Sequence, residues 1–326
     1  MDFAIIEAFV AVVEFGGFTR AAEALHLSQP ALSRRIGLLE HELRQVVVER
    51  GRRGVRLTDA GRTFLPHAQA ALACLRDGTA AVRALEPGDA GSLTLAIVGT
   101  LASTRLTAEL GRFHAAHPQV CVVLRTGNSA EVSGLVRRGE AAIGLRYHAD
   151  PAADIVSRQL YQETLVVVAA AGHRLAGARR IAPARLRQES WVAFPPRRGS
   201  VVDPFGQVLA RRLAAAGLDG SDVVVIDSLT AQKRLVEAGF GLALVPASSV
   251  HEELGTRALR RLDVPGLEAT IDVAMIHRRG AFLSPLALRL MDALQRDLRD
   301  GGGRKEARLS QPGGSAAQRK PKSPSR

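Results

Sequence analysis

Apolar side chains recur at helical spacing at the start of the chain. Phe3, Ile6, Val10 and Val13 fall on one face of a helix predicted over residues 2–14. A pair of glycines follows directly and ends it. The first element is therefore predicted to be an amphipathic helix whose apolar face packs on a small core.

The next two helices are predicted from their capping residues. Thr19 is expected to cap a short second helix, and Ser28 a third helix that continues to about residue 42. Pro30 lies in the first turn of the third helix, where its missing N–H costs nothing. Two helices joined by so short a turn form a helix-turn-helix. On these features alone, a generic packed helical pair remains an alternative.

The third helix has an apolar face and an opposite basic face. Projection at about 100° per residue gathers its apolar side chains into one stripe, formed by Leu32, Ile36, Leu39 and Leu43. Arg34 points away from that stripe, and its flanking residues are small or polar: Pro30, Ser33, Gly37 and His41. Such a narrow face fits a DNA major groove, which is about 12 Å wide. Gln29, at the helix start, and Arg34 are residue types that pair with adenine and guanine.

A basic hairpin is predicted next. Residues 49–58 carry glycines at positions 51 and 54 and four arginines. Arg52 and Arg53 would reach the phosphate backbone or a minor groove, as a wing does, although a solvated hairpin is an equal alternative. The candidate DNA contacts are Thr19, Arg20, Ser28, Gln29, Pro30, Ser33, Arg34, Arg35, Arg52 and Arg53.

A long helix is predicted after Thr58, its expected N-cap. Its apolar and small side chains alternate spacings of three and four residues, which is typical of a coiled-coil seam: Leu65, Ala68, Leu72, Leu75, Thr79 and Val82. One interpretation is a dimerisation helix that joins two DNA-binding heads. The alternative is a helix that packs on its own domain.

The second half of the chain alternates short apolar runs with amphipathic helices. This pattern predicts an α/β unit with a parallel sheet. Ligands bind such sheets at the carboxyl ends of the strands, where helix N-termini favour anions. Four polar residues follow two consecutive predicted strands and are candidate ligand contacts: Thr100, Ser103, Asn128 and Ser129. Each could also be a simple helix cap.

Two segments closely resemble the winged helix-turn-helix of LysR-type transcriptional regulators. They are FTRAAEALHLSQPALSRRI at residues 18–36 and ERGRRGVRLTDAG at residues 49–61. One departure lies between them, because Leu43 is followed by Arg44-Gln-Val-Val-Val where the family usually has glycine and then an apolar pair ending in Leu-Phe. The third helix thus loses its C-terminal glycine, and the base of the wing loses an aromatic residue.

The resemblance covers roughly residues 2–298 and implies an α+β multidomain fold. Its parts are a winged helix-turn-helix (1–58), a linker and dimerisation helix (59–88) and an effector-binding domain (91–298). That domain would have two Rossmann-like halves, as in periplasmic binding proteins: residues 91–161 with 268–298, and residues 162–267. By position, the second half would contribute four residues to the ligand cleft between them: Phe194, Pro195, Ser228 and Thr230.

The resemblance also implies partners. These are double-stranded promoter or operator DNA, a small-molecule effector, further copies of the chain in a homodimer or homotetramer, and RNA polymerase. The polar cleft residues weakly favour a small organic anion as effector. The expected location is a bacterial cytoplasm, on the nucleoid when DNA is bound.

Composition changes this picture little. The net charge is +12, but residues 1–90 are neutral overall and half of the excess lies in residues 301–326. We expect residues 299–326, rich in Gly, Ser, Pro and basic side chains, to be a disordered basic tail. The two cysteines are far apart, and neither a secretory signal nor an apolar run of about 20 residues is visible.

Enzyme chemistry finds little support in the sequence. The glycines near residue 239 lack the third member of a dinucleotide fingerprint, and both His-Glu pairs lack the second histidine of a zinc motif. We therefore predict neither a catalytic site nor a cofactor or metal. The expected function is sequence-specific transcriptional regulation switched by an effector. A solute-binding protein without a role at DNA is the alternative.

Overall fold

The computed structural model of the protein describes residues 1–51, 54–85, 91–102, 104–198 and 201–300. The N-terminal part consists of helices and a small hairpin: α1 (Phe3–Glu14), α2 (Phe18–Ala24), α3 (Gln29–Leu43), β1 (Val48–Gly51), β2 (Gly54–Leu57) and α4 (Asp59–Arg83). Strands β1 and β2 pair antiparallel. The predicted basic tail lies outside the described residues from position 301 onward, and so do Arg52 and Arg53.

The predicted core stripe of α3 is buried. Leu32, Ile36 and Leu39 lie in one cluster with the apolar face of α1, and the Ser28 hydroxyl accepts a hydrogen bond from the Ala31 N–H (3.3 Å) as the N-cap. The capping prediction for α2 was wrong by two residues, because Gly17 is the N-cap and Thr19 lies inside the helix. The ring of Phe18, the first residue of the helix, is buried in the domain core.

Arg44 stands at the end of α3 in place of the expected glycine, and the helix still ends in a regular C-cap. Arg44 takes the left-handed conformation (φ 51°, ψ 32°) that glycine usually supplies at a helix C-terminus. The Gln45 N–H donates to the Glu40 carbonyl (3.1 Å), which closes the last turn. The Glu40 carboxylate then accepts from the N–H of Val47 (3.0 Å) and of Val48 (3.4 Å). One glutamate thus fixes the entry into the wing.

Gly61 lies where α4 touches the segment before the wing. A Cβ at this position would lie 2.0 Å from the carbonyl oxygen of Val47 and 2.8 Å from Cδ2 of Leu57. Thr58 caps the helix by accepting from the Gly61 N–H (3.0 Å), and its hydroxyl donates to the Val46 carbonyl (2.6 Å). The motif Thr-Asp-Ala-Gly therefore joins wing and helix by close backbone packing.

The residues of the predicted seam of α4 lie in two different environments. Ala68 and Leu72 are buried in the core of their own N-terminal domain, with Leu65 packed beside them, so there the interpretation as an intrachain helix is the correct one. Further along, Leu75 and Val82 are 51% and 67% exposed, and Leu85, just beyond the helix, is 81% exposed. Only the second part of the helix therefore leaves apolar surface uncovered within the chain.

The C-terminal part is a mixed α/β structure. Its first strands and helices are β3 (Gly91–Val98), α5 (Thr104–Ala116), β4 (Val120–Gly127), α6 (Ser129–Arg137), β5 (Ile143–Tyr147) and β6 (Ile155–Ala170). The rest are β7 (Trp191–Ala193), β8 (Arg197–Arg198), β9 (Val201–Val202), α7 (Pro204–Ala215), β10 (Val223–Val225), α8 (Leu229–Glu237), β11 (Ala243–Pro246), α9 (His251–Thr256), β12 (Leu259–Leu262), β13 (Ala269–Arg278) and α10 (Pro285–Asp300). Short 3-10 turns lie at Gly99–Leu101, Pro183–Leu186 and Ala247–Val250.

The main sheet is mixed rather than parallel. Its order is β11-β6-β13-β5-β3-β4, with β12 also paired to β6. Strand β3 pairs parallel with β4 and β5, and β10 pairs parallel with β7, as the repeating pattern predicts. Strand β13 instead pairs antiparallel with β5 and β6, and β11 and β12 pair antiparallel with β6. The parallel pairing predicted for the strand–helix–strand repeats is thus present, and the antiparallel strands β6 and β13 follow loops rather than crossover helices.

Strand β6 runs through both parts of this domain. Its sixteen residues pair with β13 in the first part and with β11 and β12 in the second. The register of the β6–β13 ladder shifts between Val273 and Ala274. Two continuous strands therefore connect the α/β units, and the cleft described below lies between those units. Within the described residues, a helix long and apolar enough to span a membrane is not found.

Gly61→Ala should destabilise the N-terminal domain. The added Cβ overlaps the Val47 carbonyl, and overpacking of about 1–3 kcal/mol outweighs the helix-propensity gain of about 1 kcal/mol. Thermal unfolding followed by circular dichroism measures the change. Gly37→Ala is the control, because a Cβ there meets nothing within 4 Å. Equal melting temperatures for the two variants would contradict the packing described.

Arg44→Gly should stabilise the same domain by about 0.5–1 kcal/mol, because glycine adopts the left-handed conformation without the steric cost that arginine bears. Chemical unfolding of the full chain measures the difference. Gln45→Gly is the matched control and should be destabilising, since residue 45 has a negative φ. A loss of stability in Arg44→Gly would show that the Arg44 side chain itself supports the wing.

Candidate nucleic-acid interface and ligand cleft

The outward face of α3 is a polar surface on a rigid helix. Gln29, Pro30 and Arg34 are exposed, and Ser33 is half-buried. The residues on the other face of α3 are buried in the domain core. The helix backbone that carries these side chains is therefore held in place. Arg35 differs from them, because its guanidinium donates to the Ala4 carbonyl of α1 (3.5 Å) and it is half-buried.

The other candidate contacts lie around this face. Thr19 and Arg20 are exposed on α2, and Ser28 is exposed at the start of α3. The wing packs beside α2, because the Val55 N–H donates to the Gly16 carbonyl (3.4 Å) just before that helix. The α2, α3 and wing surfaces can therefore contact one rod-shaped partner together.

A cleft of about 680 Å³ opens between the two units of the C-terminal domain. The end of β3 contributes Thr100 and the end of β4 contributes Asn128. Phe194 follows β7 on the opposite side, and Ser228 and Thr230 lie at the start of α8. Five of the eight sequence-predicted contacts thus line one cavity at the carboxyl ends of strands.

The other three predicted contacts lie elsewhere. Ser129 is buried beneath the start of α6 rather than in the lining, and Pro195 packs its carbonyl against Gly206 of α7. Ser103 lies outside the described residues. Asn128 itself is an N-cap, since its side chain accepts from the N–H groups of Ala130 (2.9 Å) and Glu131 (3.0 Å).

One end of the cleft is aromatic. Phe194 and Phe205 line it with ring centroids 5.3 Å apart and an edge-on arrangement. Tyr147 stacks behind Phe205 (centroids 5.3 Å apart) and its hydroxyl shares a hydrogen bond with the Thr100 hydroxyl (2.7 Å). Burial raises the pKa of Tyr147 well above its ordinary value, so the phenol stays neutral. Sequence reasoning missed Phe205, because nothing in its local pattern separates it from an ordinary core residue of α7.

The charged residues of the cleft are mostly acidic, which sequence reasoning also missed. Five carboxylates line it: Glu131, Asp203, Asp227, Glu252 and Glu253. Lys233 faces them with its ammonium 2.5 Å from Glu253 and donates to the Ser249 carbonyl (3.1 Å). Burial opposes ionisation of Glu253, but the hydrogen bond from Lys233 lowers its pKa. The expectation of an organic anion rested on the hydroxyl and amide groups of the cleft and did not include these carboxylates.

Helix α6 connects the cleft to the N-terminal domain. Its first residues follow Asn128 in the cleft, and at its other end Arg138 forms ion pairs with Glu14 of α1 (2.6 Å) and with Glu140 (2.6 Å). Arg76 of α4 donates to the Arg138 carbonyl (2.5 Å). Burial raises the pKa of Glu14 against the effect of Arg138. The contact is therefore a partly desolvated network and not a loose surface pair.

Two further contacts fix α4 against the C-terminal domain. Gly139 adopts a positive φ (69°), and a Cβ there would lie 3.3 Å from Ala73 of α4. Asp77 of α4 pairs with Arg278 of β13 and accepts from the Phe282 N–H (3.3 Å). The described residues hold no cluster of three or more His, Cys, Asp or Glu side chains suited to a metal ion.

Comparison with protein families gives two matches that together span most of the chain. The family model described as "Bacterial regulatory helix-turn-helix protein, lysR family" matches residues 3–62. The one described as "LysR substrate binding domain" matches residues 86–299.

Similar individual proteins agree with these matches. The RuBisCO operon transcriptional regulator of Allochromatium vinosum is 30% identical, over 86% of this chain and 91% of that protein. The HTH-type transcriptional regulator TfdS of Cupriavidus pinatubonensis (strain JMP 134 / LMG 1197) is 33% identical, over 76% of this chain and 83% of its own length. The crystal structure of full-length CbnR complexed with its target DNA has a TM-score of 0.59 and 26% identity, over 91% of this chain and 100% of that chain.

Proposed function

The chain belongs to the LysR family of bacterial helix-turn-helix regulators, and from that premise we propose which of its surfaces carry the family's function. It is a DNA-binding transcriptional regulator whose C-terminal domain responds to a small-molecule effector. The observation that carries the assignment to residues is the rigid polar face of α3 beside the wing. A role in solute binding alone would not explain the exposed polar face of α3.

The outward face of α3 enters the major groove. Gln29, Ser33 and Arg34 read base edges, since they lie on the first two turns of the helix, where recognition helices contact bases. Thr19 and Arg20 on α2, with Ser28 and Pro30 at the α3 N-terminus, lie beside them against the phosphate backbone. Arg52 and Arg53 anchor the wing. Arg35, tied to the Ala4 carbonyl, supports the orientation of the helix pair on DNA.

Dimerisation uses the uncovered stripe of α4. Leu75, Val82 and the following Leu85 expose apolar surface that the chain itself does not cover, and burial of such a stripe drives helix pairing. Exposed valines also lie on strands β4 and β10 at the margins of the C-terminal domain. These surfaces suit assembly of dimers into a homotetramer.

The proposed domain boundaries are those expected from the sequence: a winged helix-turn-helix at residues 1–58, a linker at 59–88 and an effector domain at 91–298. The basic tail, expected from residue 299, would begin after α10, which ends at Asp300. Closure of the two halves around an effector bends β6 and β13, the strands that run between them. The role is regulatory rather than catalytic, in keeping with the curated relatives, and its place is the bacterial nucleoid.

Effector binding reaches the DNA-binding domain through α6. A shift of Asn128 on cleft closure moves the helix as a rod, because its nine residues span only about 14 Å. The other end of the rod carries Arg138, which contacts Glu14 and Arg76. The effector would thus bias the angle between DNA-binding and effector domains, a shift between pre-existing arrangements.

Arg34→Ala should weaken the preference for operator DNA by about 1–3 kcal/mol. Fluorescence anisotropy compares DNA from upstream of the protein's own gene with shuffled DNA across a salt series. The melting temperature and the salt slope should barely change, because a base contact is lost rather than a phosphate contact. Arg187→Ala, an exposed arginine of the effector domain, is the control. A uniform loss on both DNAs with a smaller salt slope would assign Arg34 to the backbone instead.

A double-mutant cycle on Glu14→Gln and Arg138→Gln should show coupling between the effector and DNA sites. Each single variant should keep basal DNA affinity yet reduce the effector-induced change several-fold, and the double variant should lose no more than either single one. Cell-based reporter induction and anisotropy measure the response. Full induction in all three variants would exclude the α6 contact as the connection.

A further inference from the structure

We infer that the effector of this protein is a small organic cation, carrying an ammonium or guanidinium group, rather than an organic anion. The inference rests on the effector-binding role proposed above and names the chemistry of that same cleft. Four separate observations support it: the charge of the lining, the state of the helix N-termini, the aromatic end and the unpartnered acceptor oxygens.

The charged lining is predominantly acidic. Five carboxylates face a single ammonium, that of Lys233, and this ammonium is already occupied by Glu253 and the Ser249 carbonyl. The buried Glu163 lies close by and accepts from the Ser248 N–H (3.3 Å). An anion entering this space would meet repulsion from several groups in a medium of reduced dielectric, whereas a cation would be attracted.

Two helix N-termini at the cleft, those of α6 and α7, are already capped by the protein's own carboxylates, whereas that of α8 is capped by the neutral Ser228 hydroxyl. At α6, the Glu131 carboxylate accepts from the Asn128 N–H (2.7 Å) while Asn128 caps the following N–H groups. At α7, Asp203 accepts from the Phe205 N–H (3.0 Å). A ligand carboxylate or phosphate would have to displace these acids. The usual argument for an anion at a helix N-terminus therefore does not apply at α6 and α7.

The aromatic end completes a site for a cation. The rings of Phe194 and Phe205 line the cleft, and aromatic faces carry negative partial charge. Phe205 is buried and stacks on Tyr147, so the half-buried Phe194 is the ring that a ligand can reach. Ammonium and guanidinium groups bind such faces when carboxylates stand opposite. An extended molecule with an apolar body could rest against the rings while its charged end lies among Glu252, Glu253 and Asp227.

Acceptor atoms are also available in the lining. The Oε2 of Glu253 and the hydroxyl oxygen of Ser248 are shielded from solvent and lack a hydrogen-bond partner among the residues that the structure describes. Buried acceptors of this kind are costly unless a donor reaches them. A ligand N–H group supplies that donor. The volume of about 680 Å³ also lies within the range of sites for small organic molecules.

Four probes of equal or similar chain length test the inference on the full-length protein: agmatine, putrescine, succinate and 1,4-butanediol. Trp191 reports binding, because it is the single tryptophan of the chain, is buried in β7 and lies three residues before Phe194. Agmatine and putrescine should change its fluorescence saturably and raise the melting temperature. Succinate and butanediol should bind at least tenfold more weakly, and added salt should weaken agmatine binding.

Single charge neutralisations locate the interaction. Glu252→Gln and Asp227→Asn should each weaken agmatine binding about three- to fivefold, the effect of one partly exposed charge pair. Asp219→Asn is the matched control, since Asp219 is exposed in the turn beyond the far end of α7 and outside the cleft lining. All three variants should keep the melting temperature of the parent protein in the absence of probe.

The outcomes separate this inference from the proposed function. Binding of succinate as tight as agmatine, absence of binding by both cations, or equal agmatine affinity in Glu252→Gln and Asp219→Asn would each overturn it. Anisotropy with upstream DNA is measured on the same samples. Loss of the DNA preference there would refute the regulatory role, whereas an intact DNA preference with the wrong charge selectivity would refute only the cationic effector.

Discussion

The packing around α4 determines how every other surface of this chain can be used. One side of the helix completes the core of the N-terminal domain through Ala68 and Leu72. A second side meets the C-terminal domain at Ala73 and Asp77. The remaining side, which ends in Val82, is apolar and uncovered. The dimer proposed above would place a second copy of the chain on this uncovered side and so orient two DNA-binding heads.

Helix α6 and strand β6 are the elements through which a ligand in the cleft could affect the DNA-binding heads. The first connects the cleft to Glu14 through Arg138, and the second passes through both halves of the effector domain. Both are packed secondary-structure elements, so the proposed response would be a movement of packed structure rather than of a loose connection. The acidic, aromatic cleft then decides which molecule starts the change.

Periodicity and capping predicted most helices and strands, because both are local properties. The stripe of α3 and the cap at Ser28 follow from spacing alone, and the family motif supplied the domain order. Sheet direction could not be predicted for β6 and β13, since a strand pattern does not encode which neighbour it meets. The left-handed conformation of Arg44 could not be predicted either. An arginine takes this conformation in place of glycine because of the Glu40 contacts around it.

The sequence predicted several residues that line the cleft but not the charge of the cleft. Thr100 and Asn128 follow visible strand ends, and Ser228 was expected from the family resemblance. The carboxylates of the cleft come from four separate segments, and two of them, Glu252 and Glu253, belong to a short helix that carries no motif. Their convergence exists only in the folded chain. The sequence also showed no sign that Glu131 and Asp203 would occupy the N-termini of α6 and α7.

Hydroxyl-radical footprinting on DNA from upstream of the protein's own gene tests the central claim most directly. The account predicts protection of two half-sites on one face of the duplex, separated by a whole number of turns of about 10–10.5 base pairs, and loss of the phased pattern when Leu75 and Val82 are replaced by glutamate. Uniform protection without phasing, or an unchanged pattern in that variant, would contradict a regulator whose two reading heads are set by α4.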